Sequence, residues 1–224
     1  INYIDLYGEN KMNMEKNLEH VFPKSYFKHD SNKENMNNDM HNLYLCNSKL
    51  NNHRGNFKYV DINNYTYSKG EIYYDTDGNV LNNIRDIFKN QGCILAVNKN
   101  KKIVIPCDYS KGKIARALAY FCIKYNYLHQ IQEIIDVDTM IKWCLNDPVD
   151  NEEYLKNILC YKYQNNYNPF ILEPELIIYC FCDITNFSYE EILLQKKTKS
   201  IDYLKTIEHL INENKSNYEE IKSL

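Results

Sequence analysis

Glu19 and His20 stand side by side in the run Glu19-His20-Val21-Phe22-Pro23-Lys24-Ser25, and His41-Asn42-Leu43 and Asn51-x-x-Arg54-Gly55-Asn56-Phe57 follow soon after. These segments hold imidazoles, a carboxylate, several amide oxygens and a guanidinium. A neutral imidazole, with a pKa near roughly 6.5, takes a proton from water at neutral pH. A hard cation such as Mg²⁺ prefers oxygen, keeps several waters and needs only one or two protein ligands. One carboxylate with one amide carbonyl meets that demand, and a guanidinium can clamp a phosphate through two parallel hydrogen bonds. Metal-assisted hydrolysis of a phosphate ester is the chemistry these types could do together. Singly they say much less: a lone histidine is more often packed or surface-exposed than catalytic, and an arginine in a turn is more often solvated.

The elements that must position these residues can be read from periodicity. Residues 18–27 are apolar and interrupted by Pro23, which reads as a short strand leading into a loop. Residues 28–40, including Asn35-Met36-Asn37-Asn38, read as polar, solvated loop, and 41–50 alternate between apolar and polar positions and could begin a helix before the turn at Arg54-Gly55-Asn56-Phe57. Glu71-Ile72-Tyr73-Tyr74 reads as a strand and Asp77-Gly78-Asn79 as a tight turn. Residues 94–97 and 103–105 read as a hairpin around 98–102. The clearest helix runs from Lys111 to Tyr127, with Ile114, Ala117, Leu118, Phe121, Cys122 and Tyr125 on one stripe and Lys111, Lys113 and Arg116 off it. A second amphipathic helix over 129–145 carries Trp143 and ends at Asp147-Pro148. A third covers 151–163, and 172–224 read as mainly helical. The fold class is α+β.

Composition bounds the rest. The 224 residues suit one medium domain with a tail. No apolar stretch approaches the roughly 18 residues that span a membrane. The chain begins with Ile, so a missing signal segment says nothing about secretion. Eight cysteines show no Cys-x-x-Cys spacing, leaving buried thiols and disulfides as equal alternatives, with zinc behind both. Sequons occur at Asn64, Asn186 and Asn214. A net charge of -3 argues against a polyanion partner, but residues 99–124 set seven bases against Asp108 alone, and 19–58 carry six bases against four acids. Such asymmetry suits a local phosphate-binding face, although a Lys-rich run is commonly just a solvated helix face.

Taken in order, the segments around Glu19-His20, His41-Asn42-Leu43 and Arg54-Gly55-Asn56-Phe57 resemble the bacterial endonuclease I family. So do Pro106 with Lys111-Gly112-Lys113-Ile114-Ala115-Arg116-Ala117, Trp143 with Asp147-Pro148-Val149, and Gln164-Asn165-Asn166-Tyr167-Asn168-Pro169-Phe170. The resemblance covers roughly residues 18 to 172. It implies a ββα-metal (His-Me finger) nuclease core over 18–175, between a polar lead-in at 1–17 and a mainly helical C-terminal extension at 176–224. By the same resemblance His20 is the general base, and Glu19 binds a divalent metal (Mg²⁺, or Mn²⁺ or Ca²⁺). Asn51, ten residues after His41, is the second metal ligand, with Asn47 and Asn52 as weaker alternatives. His41, Arg54, Lys113 and Arg116 are expected to support the site or contact phosphates. Gln164, Asn166 and Asn168 are expected to fix a loop.

The partner the resemblance implies is nucleic acid, DNA or RNA, held through its backbone, with cleavage leaving 5′-phosphate and 3′-hydroxyl ends. The family is secreted and periplasmic, which suggests a secreted or organellar setting. Two departures stand out: Leu45 replaces a usual proline, and a leaving-group arginine has no match, Lys24, Lys28 and Lys33 being substitutes in principle. A catalytically weak nucleic-acid-binding scaffold is the main alternative, and a helical interaction protein the third.

Overall fold

The computed structural model describes residues 6, 16–61, 71–81 and 95–181. β1 (Lys16–His20) pairs antiparallel with β2 (Leu43–Asn47), which sets Glu19 opposite Tyr44 and His20 opposite Leu43. The pairing outlasts the strands. Asn42 Oδ1 accepts from the Phe22 amide at 2.7 Å, and its Nδ2 donates to the Phe22 carbonyl at 3.1 Å. Pro23, which has no amide hydrogen to extend a ladder, then leads into α1 (Lys24–Phe27), followed by α2 (Lys33–Asn38). Residues 28–40 are therefore not wholly loop: Met36 is buried and anchors α2.

Residues 41–50 do not begin as a helix. Tyr44 and Cys46 are buried in alternation along β2. The helix starts only at α3 (Ser48–Arg54), where Asn47 Oδ1 accepts from the amides of Lys49 at 2.8 Å and Leu50 at 3.4 Å. α3 packs on both β1 and β2 and stops at Gly55, whose φ of 57° is a left-handed value that favours glycine.

A second sheet combines β3 (Lys58–Tyr59), β4 (Glu71–Tyr74), β5 (Leu95–Asn98) and β6 (Ile103–Pro106) in the order β3-β6-β5-β4. The expected strand at 71–74 and the hairpin around 98–102 are both present, and only β3 and β6 run parallel. The Asp77-Gly78-Asn79 turn forms as expected, with Asp75 Oδ1 accepting from the amides of Asp77 and Asn79.

α4 (Asp108–Tyr125) ends at Asn126 in the left-handed region. It is buried from Ser110 to Cys122 on all its faces, not along one stripe, because α6 (Val137–Asn146) and α8 (Pro169–Leu172) pack on it and α7 (Asn151–Gln164) ties to it through ion pairs from Glu153 and from its N-cap Asp150. The expected helix over 129–145 is broken. A 3₁₀ turn (Leu128–Gln130) and α5 (Ile131–Ile134) precede α6. Ile135 takes an extended conformation to bridge Tyr59, and Asp136 then caps α6 by accepting from the Thr139 amide at 2.9 Å. α9 (Leu176–Phe181) packs on α6 and α8.

The aromatic core fixes the end of β1 against α4. Phe22 stacks on Phe121 with centroids 4.3 Å apart, flanked by Phe27 and Tyr127, and each such fully buried ring contributes roughly 1.5–3 kcal/mol. The lead-in is tied down at Leu6, which is buried. Its amide donates to the Leu45 carbonyl at 2.8 Å, and its carbonyl accepts from Ser110 Oγ. The chain divides into units Ile1–Ile184 and Thr185–Leu224, and all described residues belong to the first. Cys107, Cys122 and Cys160 are free thiols. Cys93, Cys182, the three sequons and the expected helices beyond Phe181 lie outside the described residues. The class is mixed α and β, with small sheets and several helices.

Candidate active site

Glu19 and His20 leave β1 as neighbours with different surroundings. The Glu19 carboxylate is 2% exposed, and Arg54 Nη1 lies 2.9 Å from its Oε1. His20 is partly exposed, and its Nε2 lies 2.9 Å from the Asn37 carbonyl on α2. A carbonyl only accepts, so Nε2 carries the hydrogen and the lone pair of the neutral ring sits on Nδ1. Burial lowers the His20 pKa. The Asn37 carbonyl partly opposes this, while Lys24 and Arg54 push in the same direction as burial. The ring is thus held neutral, with its basic nitrogen fixed by one backbone contact.

Asn51 faces β1 from α3. Its Nδ2 donates to the Leu18 carbonyl at 3.2 Å. That acceptor fixes the amide orientation and turns Oδ1 away from Leu18, the residue before Glu19. Asn47 is a poorer candidate ligand, because its Oδ1 already caps α3 and its Nδ2 donates to the Thr76 carbonyl. Among the described residues no three His, Cys, Asp or Glu side chains gather as a metal site. Glu19 on β1 and Asn51 on α3, two elements in contact, offer a carboxylate and an amide carbonyl. A hard cation that keeps most of its waters uses this kind of set.

Arg54 is the part of the site the sequence described least well. It is 1% exposed. Nη1 donates to the carbonyls of His20 and Gly55, and Nη2 to that of Val21 at 2.8 Å. A guanidinium so enclosed cannot reach a substrate phosphate. It supports Glu19 and the end of β1 instead.

Arg116 and Lys113 are corrected in the same way. Arg116 is fully buried, and its Nε and Nη2 reach the two Glu153 carboxylate oxygens at 2.7 and 2.5 Å. Its Nη1 donates to the carbonyls of Cys144 and Asp147. Lys113 Nζ pairs with Asp150 at 2.6 Å and is nearly buried. Burial removes both from any nucleic-acid face, and their charges are compensated internally.

His41 is buried between the start of β2 and Tyr120, its ring centroid 4.5 Å from the tyrosine's. Its Nε2 holds the Asn166 carbonyl at 3.1 Å, and burial drives its pKa down to about 4. It supports the scaffold as a neutral ring. Gln164, Asn166 and Asn168 fix their loop as expected. Gln164 bonds Asp39, Asn166 and the Met40 amide, Asn166 donates to Tyr120 Oη, and Asn168 caps α8 and donates to the Arg116 carbonyl.

Two participants escaped the sequence reading. Asn37 acts through its backbone carbonyl, which no residue type announces. Buried Asp39 accepts from the His41 amide, Gln164, Tyr120, Lys124 and Tyr125, and so ties the chain before β2 to α4 and α7. A single acid in an Asn-rich run gives no periodic signal.

No helix among the described residues is long and apolar enough to cross a membrane. The chain is 28% identical over 175 residues to an extracellular ribonuclease of Bacillus subtilis (strain 168), covering 71% of this chain and 51% of that protein. Over 144 residues it is 27% identical to endonuclease-1 of Buchnera aphidicola subsp. Baizongia pistaciae, covering 64% and 49%. An extracellular ribonuclease of Bacillus amyloliquefaciens matches at 28% over 175 residues, covering 71% and 51%. The chain thus spans about half the length of the curated relatives it matches. The Endonuclease I family model matches residues 6–175, which take in β1, β2, α3 and the whole of the candidate site, and the chain belongs to that family.

Proposed function

We propose that this chain is a divalent-metal-dependent endonuclease that hydrolyses DNA, and also RNA, with little sequence preference, leaving 5′-phosphate and 3′-hydroxyl ends. The observation that carries the reading is the His20 contact with the Asn37 carbonyl beside Glu19, which leaves Nδ1 able to take a proton from water. β1, β2 and α3 then form a ββα-metal core, with Glu19 and Asn51 as the protein ligands. When bound, a cation such as Mg²⁺, Mn²⁺ or Ca²⁺ neutralises charge that develops on the phosphate and on the departing 3′ oxygen.

The chain's own residues do the rest. Glu19 and Asn51 would hold the cation, and Arg54 fixes the Glu19 carboxylate and disfavours protonation of His20. His20 Nδ1 accepts the proton of the attacking water. With Lys113 and Arg116 buried, Lys24 is the base we assign to the substrate backbone, since it is exposed and close enough to His20 to act on its charge. Backbone contacts position without reading sequence, which fits non-specific cleavage.

The test incubates supercoiled plasmid and a structured RNA with the protein in Mg²⁺ and in EDTA, with His20→Ala alongside. Cleavage that needs metal and is lost in His20→Ala is the expected result. Undiminished cleavage by His20→Ala overturns the base assignment. Tight binding without cleavage in any divalent metal would favour the scaffold.

A further inference from the structure

We infer that Lys156 is a proton-operated latch between α7 and β2: as a free amine it closes over the ring of Tyr44, and on taking up a proton it turns outward to water. Most lysines lay their apolar stem along the protein and keep the ammonium solvated. Lys156 does the reverse. The residue as a whole is partly exposed, yet its Nζ is enclosed and has no hydrogen-bond partner among the described residues. Nζ sits 3.0 Å from the centroid of the Tyr44 ring, and Tyr44 is a buried residue of β2 set opposite Glu19 on β1. An inward tip on an exposed stem can leave by side-chain rotation alone. Both ends of α7 are tied elsewhere, through Glu153 to Arg116 and through Gln164 to the Met40 amide, so the release is confined to the middle of the helix.

The surroundings favour the uncharged amine. An ammonium carries three N–H donors, and one ring face serves them far less well than water does. The charged and titratable groups around Nζ are engaged or neutral. On α7 itself, Glu153 accepts from Arg116 on both carboxylate oxygens, and Cys160 is a buried thiol whose pKa burial raises. Ahead of β2, Asp39 accepts from Lys124, Tyr120, Tyr125 and Gln164, and burial keeps His41 neutral. Burial also keeps the Tyr44 phenol protonated, and Lys113 on α4 adds only repulsion. Burial accordingly draws the Lys156 pKa from 10.5 down to about 7, with Cys160, Glu153 and Asp39 opposing it in part. The unfolded chain therefore keeps a proton that the closed latch gives up. Stability that is present above the unfolded pKa is lost progressively as pH falls toward 7.

The test uses the full chain with ¹³C at the lysine ε-carbons, read by NMR, the Lys156 signal being the one missing from Lys156→Met. That signal should titrate at least about one pH unit below the remaining lysines. Its nuclear Overhauser contact with the Tyr44 ring should be present at pH 9 and nearly gone at pH 6. Titration together with the other lysines, or a ring contact that persists at pH 6, overturns the latch. Urea unfolding supplies a second reading, independent of any cleavage activity. Methionine matches the unbranched stem and is a good helix former, so the variant folds. The ratio of wild-type to Lys156→Met unfolding constants should fall at least about tenfold between pH 7 and 9, the effect of one proton bound by the unfolded chain alone. A ratio constant within about twofold across that range overturns the latch as well.

Discussion

Replacing Arg54 with methionine separates two roles that the sequence left together. A phosphate clamp on the surface would weaken substrate binding, in a salt-dependent way, and leave stability nearly untouched. The structure requires the opposite. Arg54 is 1% exposed, and Glu19, its ion-pair partner at 2.9 Å, is 2% exposed. Methionine leaves a carboxylate in a dry site with its countercharge gone, and it also strips a donor from the carbonyls of His20, Val21 and Gly55. Breaking a buried pair from one side costs about 3–5 kcal/mol, which for a domain of this size lowers Tm by roughly 6–20 °C. Adding Glu19→Gln removes the stranded charge, so the double variant should lose less than the sum of the singles, by about 1–3 kcal/mol. Urea unfolding of the four proteins, in metal-free buffer with constant m-values as a control, gives these differences directly. An Arg54→Met protein within about 1 kcal/mol of wild type, with a reduced salt dependence of nucleic-acid binding, would refute the reasoning and restore the phosphate clamp.

Other expectations are more compact. His20→Ala should lower kcat on plasmid DNA by roughly 10²–10⁴-fold, measured from initial nicking rates at saturating Mg²⁺. Because the His20 pKa is lowered, the acid limb of the kcat/KM profile should lie below pH 6.5. An acid limb above that value contradicts a base held neutral by burial. His41 has a folded-state pKa of about 4 against roughly 6.5 unfolded, so between these values the unfolded chain binds the extra proton. Its contribution is fully retained above pH 6.5 and lost as pH falls toward 4, by about 3 kcal/mol in all. The urea-midpoint slope across pH 5–6 should therefore flatten by about one proton in His41→Leu. Glu153→Gln strands the buried Arg116 charge and should cost about 3–5 kcal/mol of stability, with nucleic-acid affinity of the folded fraction unchanged in a gel shift.

What could be read from the sequence follows from where the information is local. The β5–β6 hairpin, the Asp77-Gly78-Asn79 turn and α4 declare themselves through turn residues and short-range periodicity. The family segments also brought Glu19, His20 and Asn51 forward as a set, and the fold carries them on β1 and α3, two elements in contact. Burial of Arg116 was not legible, because its partner is Glu153, 37 residues away on another helix. A base off the apolar stripe looks solvated until that helix is placed. The break at Ile135 is likewise tertiary, since its cause is a bridge to Tyr59. β2 is hard to read for a smaller reason: its five-residue alternation runs directly into the capped first turn of α3, which carries a helical signal.

With His20 as the proposed general base, its contact with α2 makes catalytic competence conditional on a very short helix. α2 has six residues, and Asn37 lies in its last turn, where carbonyls have no partner further along the helix. His20 serves as that missing partner, so ring and helix end hold each other. Six-residue helices open easily and locally, well below the free energy of global unfolding. Each such excursion releases Nε2 and lets the proton migrate to Nδ1, so that the ring faces the water with its wrong nitrogen protonated. Heat inactivation should thus precede loss of the β1–β2 pairing, with amide exchange in residues 33–38 rising in step with the activity lost.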